Sequence, residues 1–402
     1  MRIELQENGP PVEVRLGASV GAALAGSGLV NAVPSTLPGH WRVGPANRVG
    51  VARVGDVELW ITPKLSIQRL FFLLGYARDE KGWRSEDLDL GEAPDLLTAI
   101  ADAFARQAER ALQQGLIQGY RVTEESLPLL RGRLREADQM RRRFGLALPV
   151  EVRYDDYTVD IAENRLLLAA AQRLLRIGHL PPRVRRSLLH TVLKLADVDP
   201  LVPGHPLPVW RPTRLNVRYH VALRLAELVL RGGSVEQRSG LIAISGFMLD
   251  MPRVFEDFVT ATLGADLADF GGRVRAQDPW HLDEDRAIRM KPDLVWYGVG
   301  GEVRAVVDAK YKAEKPSGFP DADLYQMLAY CTALGMGRGH LVYAKGNEPA
   351  VTHRVRNVGV EIVQRAVDLD QPPRGLLEDM RRIAFEVAGS SDLGPSGAGP
   401  RG

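Results

Sequence analysis

The stretch "MKPDLVWYGVGGEVRAVVDAKYK" (residues 290–312) contains two apolar segments separated by the turn-forming residues "GVGG" (298–301). Two short apolar runs joined by a glycine-rich turn predict a pair of antiparallel strands. The first run begins directly after Asp293, and the second ends with Asp308 and Lys310. Two acids and a base in this arrangement are typical either of a solvated sheet face with an ion pair or of a metal-dependent active site.

The register of this hairpin decides whether the polar residues meet. Side chains alternate along a strand, so Asp308 and Lys310 share one face, and the odd-numbered residues 303–309 lie on the other, which we expect to be the buried one. A turn at 298–301 places Asp293 opposite a residue from 306 to 308. If the partner is 306 or 308, Asp293 joins the other two polar groups; if it is 307, Asp293 points away. All three pairings fit the sequence.

Two carboxylates side by side favour a functional interpretation. They repel each other, which costs stability unless a cation lies between them. Mg²⁺ binds through hard oxygen ligands, usually one or two carboxylates together with water and phosphate oxygens. Lys310 in such a site would orient or deprotonate the attacking water, or neutralise negative charge developing on a phosphate.

The elements around the hairpin have a recognisable order. Residues 251–264 predict a helix with a proline near its first turn and a glycine at its end. Three strands follow, in "GRVRAQDPW", "AIRMKPDLVWY" and "EVRAVVDAKYK", and then a helix at 321–335 and a strand at 339–344. The order is αβββαβ.

The rest of the chain predicts a multidomain protein of mixed α+β or α/β class. Residues 1–63 contain short alternating runs such as "VEVRL" and "RVGVARV", which indicate a small β-rich unit. From 65 to 245 the apolar residues follow a mostly helical period, with a β interruption near 118–155. We therefore expect a region at 1–245, a second domain at 246–388, and a disordered Gly/Ser/Pro-rich tail at 389–402.

Composition excludes several classes of protein. The chain of 402 residues is 45% hydrophobic and 25% charged, as in soluble globular proteins. It lacks an apolar run of about 18 residues and a signal-peptide core, so we expect a cytoplasmic protein without membrane contact. Its single cysteine, Cys331, excludes a disulfide framework and a cysteine-based metal site. No Gly-Lys dipeptide occurs, so the chain is not itself a P-loop NTPase.

Several segments together resemble a known family. "KPD…VVDAKYK", with "FEDFV" before it and "DLYQMLAYC" after it, resembles the PD-(D/E)xK (restriction-endonuclease-like) nuclease superfamily. More narrowly, the chain resembles McrC, the nuclease subunit of McrBC-type restriction systems. "ITPKLSIQRLFFLLGYA" is similar to the N-terminal region of McrC, and "YDDYTVDIAENRLLLAAAQRLL" (154–175) is similar to its central segment. The resemblance covers most of residues 55–345.

The resemblance implies roles for individual residues. Asp293 and Asp308 would bind Mg²⁺, for which Mn²⁺ substitutes, and Lys310 would be the catalytic lysine. Glu256, on the helix before the strands, matches a glutamate that many such nucleases use as an extra metal or water ligand. Asp308 stands where the wider superfamily commonly has Glu, and aspartate is an equally good ligand.

The helix after the strands carries a further match. Gln326 matches the glutamine of a Q-x-x-x-Y element, and Tyr330 lies one helical turn further on, on the same face. The resemblance implies that Gln326 belongs to the catalytic set.

The family also implies a function and a partner. Residues 246–388 would form a nuclease that cuts modified (5-methylcytosine) double-stranded DNA in a type IV restriction system, a form of phage defence. Residues 1–245 would dock on a McrB-like hexameric AAA+ GTPase, which binds GTP and whose hydrolysis the chain stimulates. Two alternatives stay open: a non-catalytic adaptor that activates an AAA+ NTPase through a relic nuclease fold, and a stand-alone repair nuclease.

Overall fold

The computed structural model describes residues 1–77, 95–144, 146–176, 180–202, 204–232, 234–239, 242–311, 321–344 and 350–390. The chain forms two compact units, one of residues 1–89 together with 235–402 and the other of residues 90–234. The division differs from the expected boundary at 245/246, because residues from both ends of the chain share the first unit. The mixed α+β class is confirmed.

The first unit begins with two small sheets. Its elements up to residue 76 are β1 (Arg2–Gln6), β2 (Val12–Arg15), α1 (Ala18–Gly26), β3 (Val30–Pro34), β4 (His40–Pro45), β5 (Arg48–Val54), β6 (Val57–Thr62) and α2 (Ile67–Tyr76). β2, β4 and β3 form one sheet, and β1, β6 and β5 belong to the other. The predicted β-rich unit is confirmed, and α2 begins where Ser66 accepts a hydrogen bond from the Arg69 backbone N–H.

The second sheet explains why the expected domain boundary differs from the observed one. Two later strands, β10 (Ser234–Ser239) and β11 (Ile242–Asp250), extend this sheet, and β11 pairs antiparallel with β5. The two strands approach closely at Gly50, where a Cβ atom would lie 2.1 Å from the Phe247 carbonyl oxygen. Gly50 has φ +132°, which an L side chain rarely adopts. The strand that leads into the second expected domain is therefore part of the N-terminal sheet.

The second unit is mainly helical, as predicted. Its elements are α3 (Leu96–Ala111), β7 (Gly119–Leu127), β8 (Arg133–Leu134), α4 (Glu136–Arg143), β9 (Val150–Thr158), α5 (Ala162–Arg176), α6 (Pro182–Lys194), a 3₁₀ turn (Val217–Tyr219), α7 (His220–Glu227) and a π-helical segment (Leu228–Gly232). The predicted β interruption is a long antiparallel ladder of β7 and β9, with β8 on the other edge of β9.

A six-stranded sheet dominates the C-terminal part of the first unit. The elements there are α8 (Met251–Ala268), β12 (Arg273–Ala276), β13 (Trp280–His281), β14 (Arg289–Met290), β15 (Leu294–Tyr297), β16 (Val303–Lys310), α9 (Asp321–Leu334), β17 (Arg338–Tyr343), β18 (Val351–Arg354), β19 (Glu361–Ala366) and α10 (Pro373–Ser390). The strand order is β12-β15-β16-β17-β19-β18. The β12–β15 and β15–β16 pairs are antiparallel, whereas β17 is parallel to both β16 and β19.

Three sequence expectations need correction here. The predicted strand "AIRMKPDLVWY" is two strands, β14 and β15, because Pro292 between them has no backbone N–H for a ladder. The expected tail at 389–402 starts slightly too early, since α10 continues to Ser390; residues 391–402 lie outside the described residues. The even-numbered face of β16 is also buried, because α9 packs on it: Val306 is fully buried in one cluster with Met327 and Cys331.

Helices of the first unit meet the N-terminal sheet and the six-stranded sheet. Phe258 of α8 is fully buried and lies 5.9 Å from the ring of Phe72 and 5.8 Å from that of Tyr76, both on α2. Phe255, one turn earlier, lies 6.1 Å from the ring of Tyr311 at the end of β16. No helix in the described part of the chain is both long and apolar enough to cross a membrane.

Candidate active site

The register of β15 and β16 brings the two carboxylates together. Leu294 pairs with Val307 in the antiparallel ladder, and continuing this register by one residue places Asp293 opposite Asp308. The Ala309 backbone N–H donates a 2.8 Å hydrogen bond to Asp293 Oδ2. Asp293 is only 9% exposed and Asp308 only 2% exposed. The register in which Asp293 would point away is thereby excluded.

Lys310 completes the group of three. Its Nζ forms an ion pair with Asp308 Oδ2, and its side chain is 16% exposed. Burial works to lower the pKa of Lys310, but the charges of Asp308, Asp293 and Asp323 outweigh burial and raise that pKa. The amine is therefore a stable ammonium. A protonated Lys310 favours the role of stabilising negative charge on a substrate over the role of removing a proton from water.

The acid pair carries an unfavourable charge balance. Burial, followed by the charge of Asp308, raises the pKa of Asp293 to about 8. The Lys310 ammonium is the ion-pair partner of Asp308 Oδ2 and offsets part of the negative charge of the pair. Two opposed, buried carboxylates with one ammonium beside them are the kind of donor set that a hard divalent cation accepts. These residues therefore fit Mg²⁺ or Mn²⁺.

Glu256 lies near this group but does not complete a three-acid cluster. It projects from α8, and burial raises its pKa, with Lys310 acting in the opposite direction and Asp308 reinforcing the rise. No set of three His, Cys, Asp or Glu side chains among the described residues is arranged to hold a metal ion. A cation here would rest on two protein carboxylates, with water and substrate oxygens filling the other positions.

Gln326 and Tyr330 are connected to the site by a hydrogen bond to the backbone of the segment before Asp293. Gln326 Nε2 donates a 2.7 Å hydrogen bond to the Tyr330 hydroxyl, and that hydroxyl lies 3.4 Å from the Lys291 carbonyl oxygen, which it faces as a donor. Lys291 is two residues before Asp293, so this chain of contacts connects α9 with the segment that carries the acid. Burial, followed by the charge of Asp308, raises the pKa of Tyr330 to about 12.

A fourth carboxylate near Lys310 was missed in the sequence. Asp323, in the first turn of α9, is 3% exposed, and its Oδ2 accepts a 3.2 Å hydrogen bond from the Tyr343 hydroxyl. Its charge is one of those that raise the pKa of Lys310. An acid in the first turn of a helix is common because it interacts favourably with the helix dipole. Asp323 therefore could not be distinguished in the sequence from an ordinary helix-start residue.

Comparison with known proteins identifies the family. The model of the McrBC 5-methylcytosine restriction system component matches residues 43–344. This chain belongs to that family. The resemblance to McrBC-type restriction systems is thereby confirmed. No curated protein sequence matches the chain.

Two solved structures are similar to this McrBC-family chain. One is a half-complex from a tetradecameric assembly of Thermococcus gammatolerans McrB AAA+ hexamers with bound McrC, at 19% identity and a TM-score of 0.57 over 96% of this chain and 100% of that chain. The other is the Thermococcus gammatolerans McrBC complex, at 21% identity and a TM-score of 0.39 over 66% of this chain and 88% of that chain. The first likeness shows a common fold over nearly the whole chain.

The central segment that carried part of the McrBC resemblance has an internal structural role in the second unit. Asp160 accepts hydrogen bonds from Arg121 and Arg165 and from the Asp199 backbone N–H. Asn164 Nδ2 donates to two backbone carbonyl oxygens. Asp160 and Asn164 of "DIAENR" thus tie α5 to the segments around it.

Proposed function

We propose that this McrBC-family chain is the nuclease subunit of its restriction system and hydrolyses phosphodiester bonds of modified double-stranded DNA with Mg²⁺. The observation that carries the proposal is the pair of buried carboxylates, Asp293 and Asp308, opposed across β15 and β16, with the Lys310 ammonium beside them. Their repulsion has no structural benefit, so a bound cation best accounts for it. The order α8, β12, β15, β16, α9, β17 supports assigning this part of the chain to the PD-(D/E)xK superfamily.

The residues divide the work of the proposed reaction. Asp293 and Asp308 would hold the metal, which when bound supplies positive charge at the scissile phosphate and acidifies a water molecule. Lys310, kept protonated by its acidic neighbours, directs its ammonium to the negative charge that develops on the phosphate oxygens. Gln326 acts through Tyr330 on the Lys291 backbone and so positions Asp293. Glu256 would orient water from the side of α8.

We further propose a McrB-like AAA+ GTPase as the partner, with GTP bound by the partner. One solved structure contains McrB AAA+ hexamers with bound McrC, and it shares a fold with nearly the whole of this chain. That likeness supports a McrB-like partner.

We propose that the partner docks on a surface of the second unit. This surface consists of the end of the β7–β9 ladder and α4, and is here called the apolar tip. Its large apolar side chains are 58–93% exposed: Leu129, Leu130, Met140, Phe144, Leu146 and Leu148. Exposed apolar groups in such a patch are typical of an interaction surface.

A second candidate function is a non-catalytic adaptor that only activates the AAA+ partner. The observation in its favour is that the described residues bring no three acids together as a ligand set. The adaptor requires the same apolar tip but no metal at Asp293 and Asp308.

Cleavage of methylated plasmid DNA separates the two functions. The chain would be assayed with the AAA+ protein encoded beside it, Mg²⁺ and GTP or ATP, as wild type, Asp308→Ala and the control Asp285→Ala, which removes an exposed acid of the same unit. The nuclease proposal expects Asp308→Ala to lower the rate of cleavage by about 100-fold or more, because transition-state charge stabilisation is lost, while the partner's NTP hydrolysis stays stimulated. Equal rates of cleavage by wild type and Asp308→Ala would contradict the nuclease proposal. An adaptor would stimulate hydrolysis in all three forms and cut in none.

A further inference from the structure

A buried acid lies at the end of the first strand of the N-terminal sheet. Glu7 follows β1 directly and is 2% exposed. Its Oε2 accepts a 3.0 Å hydrogen bond from the Lys64 backbone N–H. Its other oxygen, Oε1, is buried without a hydrogen-bond partner among the described residues. A buried carboxylate oxygen in this state is costly, so it calls for a donor.

The side chain that follows the catalytic lysine meets this acid. Tyr311 is the residue after Lys310 and is 5% exposed. The Lys64 ammonium lies 4.2 Å from the centre of the Tyr311 ring, a cation–π contact. The Tyr311 hydroxyl is buried and, within the described ranges, likewise lacks a hydrogen-bond partner. Lys64 therefore contacts both residues, Glu7 through its backbone N–H and Tyr311 through its ammonium. Burial, followed by the negative charge of Glu7, raises the pKa of Tyr311.

The two unsatisfied groups complement each other. A phenol donates one hydrogen bond and a carboxylate accepts it, and rotation of the hydroxyl about its C–O bond is enough to aim the hydrogen. Successive side chains of an extended strand point to opposite faces, so Tyr311 is directed away from the side that carries Lys310 and Asp308. A fixed Tyr311 therefore limits how the backbone at Lys310 can turn.

We propose that Glu7, Lys64 and Tyr311 form a positioning cluster, in which the Tyr311 hydroxyl donates a hydrogen bond to Glu7 Oε1 and so holds the end of β16 with the Lys310 ammonium against Asp308. The N-terminal sheet is thus a structural support of the candidate active site. The consequence for DNA cleavage rests on the proposed nuclease function; the effect on Lys310 does not.

Acylation of Lys310 tests the cluster without any need for nuclease activity. Metal-free protein would react briefly with an N-hydroxysuccinimide acetate, and the rate at Lys310 would be read by peptide mass spectrometry for wild type, Glu7→Gln, Tyr311→Phe and the double variant. Tyr311→Phe keeps the ring over which Lys64 lies. Each single variant is expected to raise the rate at Lys310 about tenfold, as loss of a buried hydrogen bond to a charged group implies. The double variant is expected to show no further rise, because both changes remove the same bond. Glu4→Gln, an exposed acid of β1, is the control and keeps the wild-type rate.

Two outcomes overturn the proposal. One is a wild-type rate at Lys310 in Tyr311→Phe. The other is a rate in the double variant equal to the product of the two single effects. Faster acylation in both single variants with unchanged single-turnover cleavage would instead overturn the consequence for cleavage, because Lys310 would then be held by the cluster without that hold affecting the reaction. The proposal expects the cleavage rate to fall about tenfold with KM unchanged. If wild-type protein does not cut DNA with its partner, the nuclease function fails, and the acylation rates still decide whether the cluster holds Lys310.

Discussion

Replacing Asp293 by asparagine should stabilise the metal-free protein, and by an amount that depends on pH. Asparagine keeps an oxygen that accepts the Ala309 N–H hydrogen bond but carries no charge opposite Asp308. The pKa of Asp293 is raised from 3.8 to about 8 in the folded protein, by burial first and by Asp308 second. The folded state therefore binds a proton that the unfolded chain has already released at neutral pH.

This difference in pKa between the folded and unfolded states sets the direction in which stability changes with pH. A raised acid pKa leaves stability unaffected below the unfolded-state value, lowers it as pH rises, and adds no further cost above the folded-state value. Between pH 3.8 and pH 7, at about 1.4 kcal/mol per pH unit, the penalty in the wild type reaches about 4 kcal/mol. Asp293→Asn avoids this penalty, so the two proteins should differ little near pH 4 and most above pH 8.

Native-state hydrogen exchange measures this difference in stability locally, at the strand that faces Asp293. The opening free energy of the peptide that contains β16 would be compared for wild type and Asp293→Asn in EDTA at several pH values, after correction for intrinsic exchange. The gap should widen from pH 5 to pH 8, and Mg²⁺ should narrow it, because only the wild type gains from binding the cation. A gap that is constant with pH, or a variant less stable than wild type at pH 8, would refute the reasoning.

Three further predictions concern other parts of the chain. Phe258→Ala should lower the free energy of unfolding of the first unit by about 3–5 kcal/mol, since the ring is fully buried against two aromatic rings of α2; urea denaturation checks this, and a loss below about 1 kcal/mol would contradict it. Gly50→Ala should weaken the β5–β11 pairing by at least about 2 kcal/mol, because the new Cβ would meet the Phe247 carbonyl oxygen; faster hydrogen exchange of both strands is the expected sign, and unchanged protection would count against it. Phe144→Asp in the apolar tip should abolish stimulation of the partner's NTP hydrolysis with the fold intact, whereas Leu193→Asp, a 72% exposed residue of α6 in the same unit, should not; equal stimulation by both variants would exclude the tip as the docking site.

The alternation of apolar and polar residues predicted the hairpin that carries the acid pair, but it did not predict the register of the two strands. Alternation and the GVGG turn predicted the hairpin, and three partner positions from 306 to 308 competed, so Asp293 was placed to within one residue of its partner, Asp308. The choice among the registers depends on a one-residue shift in the ladder between Trp296 and Tyr297, without which Asp293 would lie opposite Val307. Such details are set by backbone conformation that sequence periodicity does not encode.

Long-range contacts explain what the sequence did not predict. The compact units divide the chain differently from the expected domains because β11 pairs with β5, far earlier in the chain, and periodicity carries no information about strand partners. Glu7 and Tyr311 are unremarkable in sequence, since each acquires its environment only when the two ends of the first unit meet. Asp323 resembled an ordinary helix-start acid until the fold placed it near Lys310.

Titration of the chain with Mn²⁺ by isothermal calorimetry, for wild type, Asp293→Asn, Asp308→Asn and the control Asp285→Ala, tests the metal-dependent acid pair most directly. The account predicts one site in wild type and in Asp285→Ala, with affinity that rises with pH as Asp293 loses its proton, and at least about tenfold weaker binding in each of the two acid-pair variants. Binding of equal strength in all four proteins, or no binding in wild type at pH 8, would contradict it.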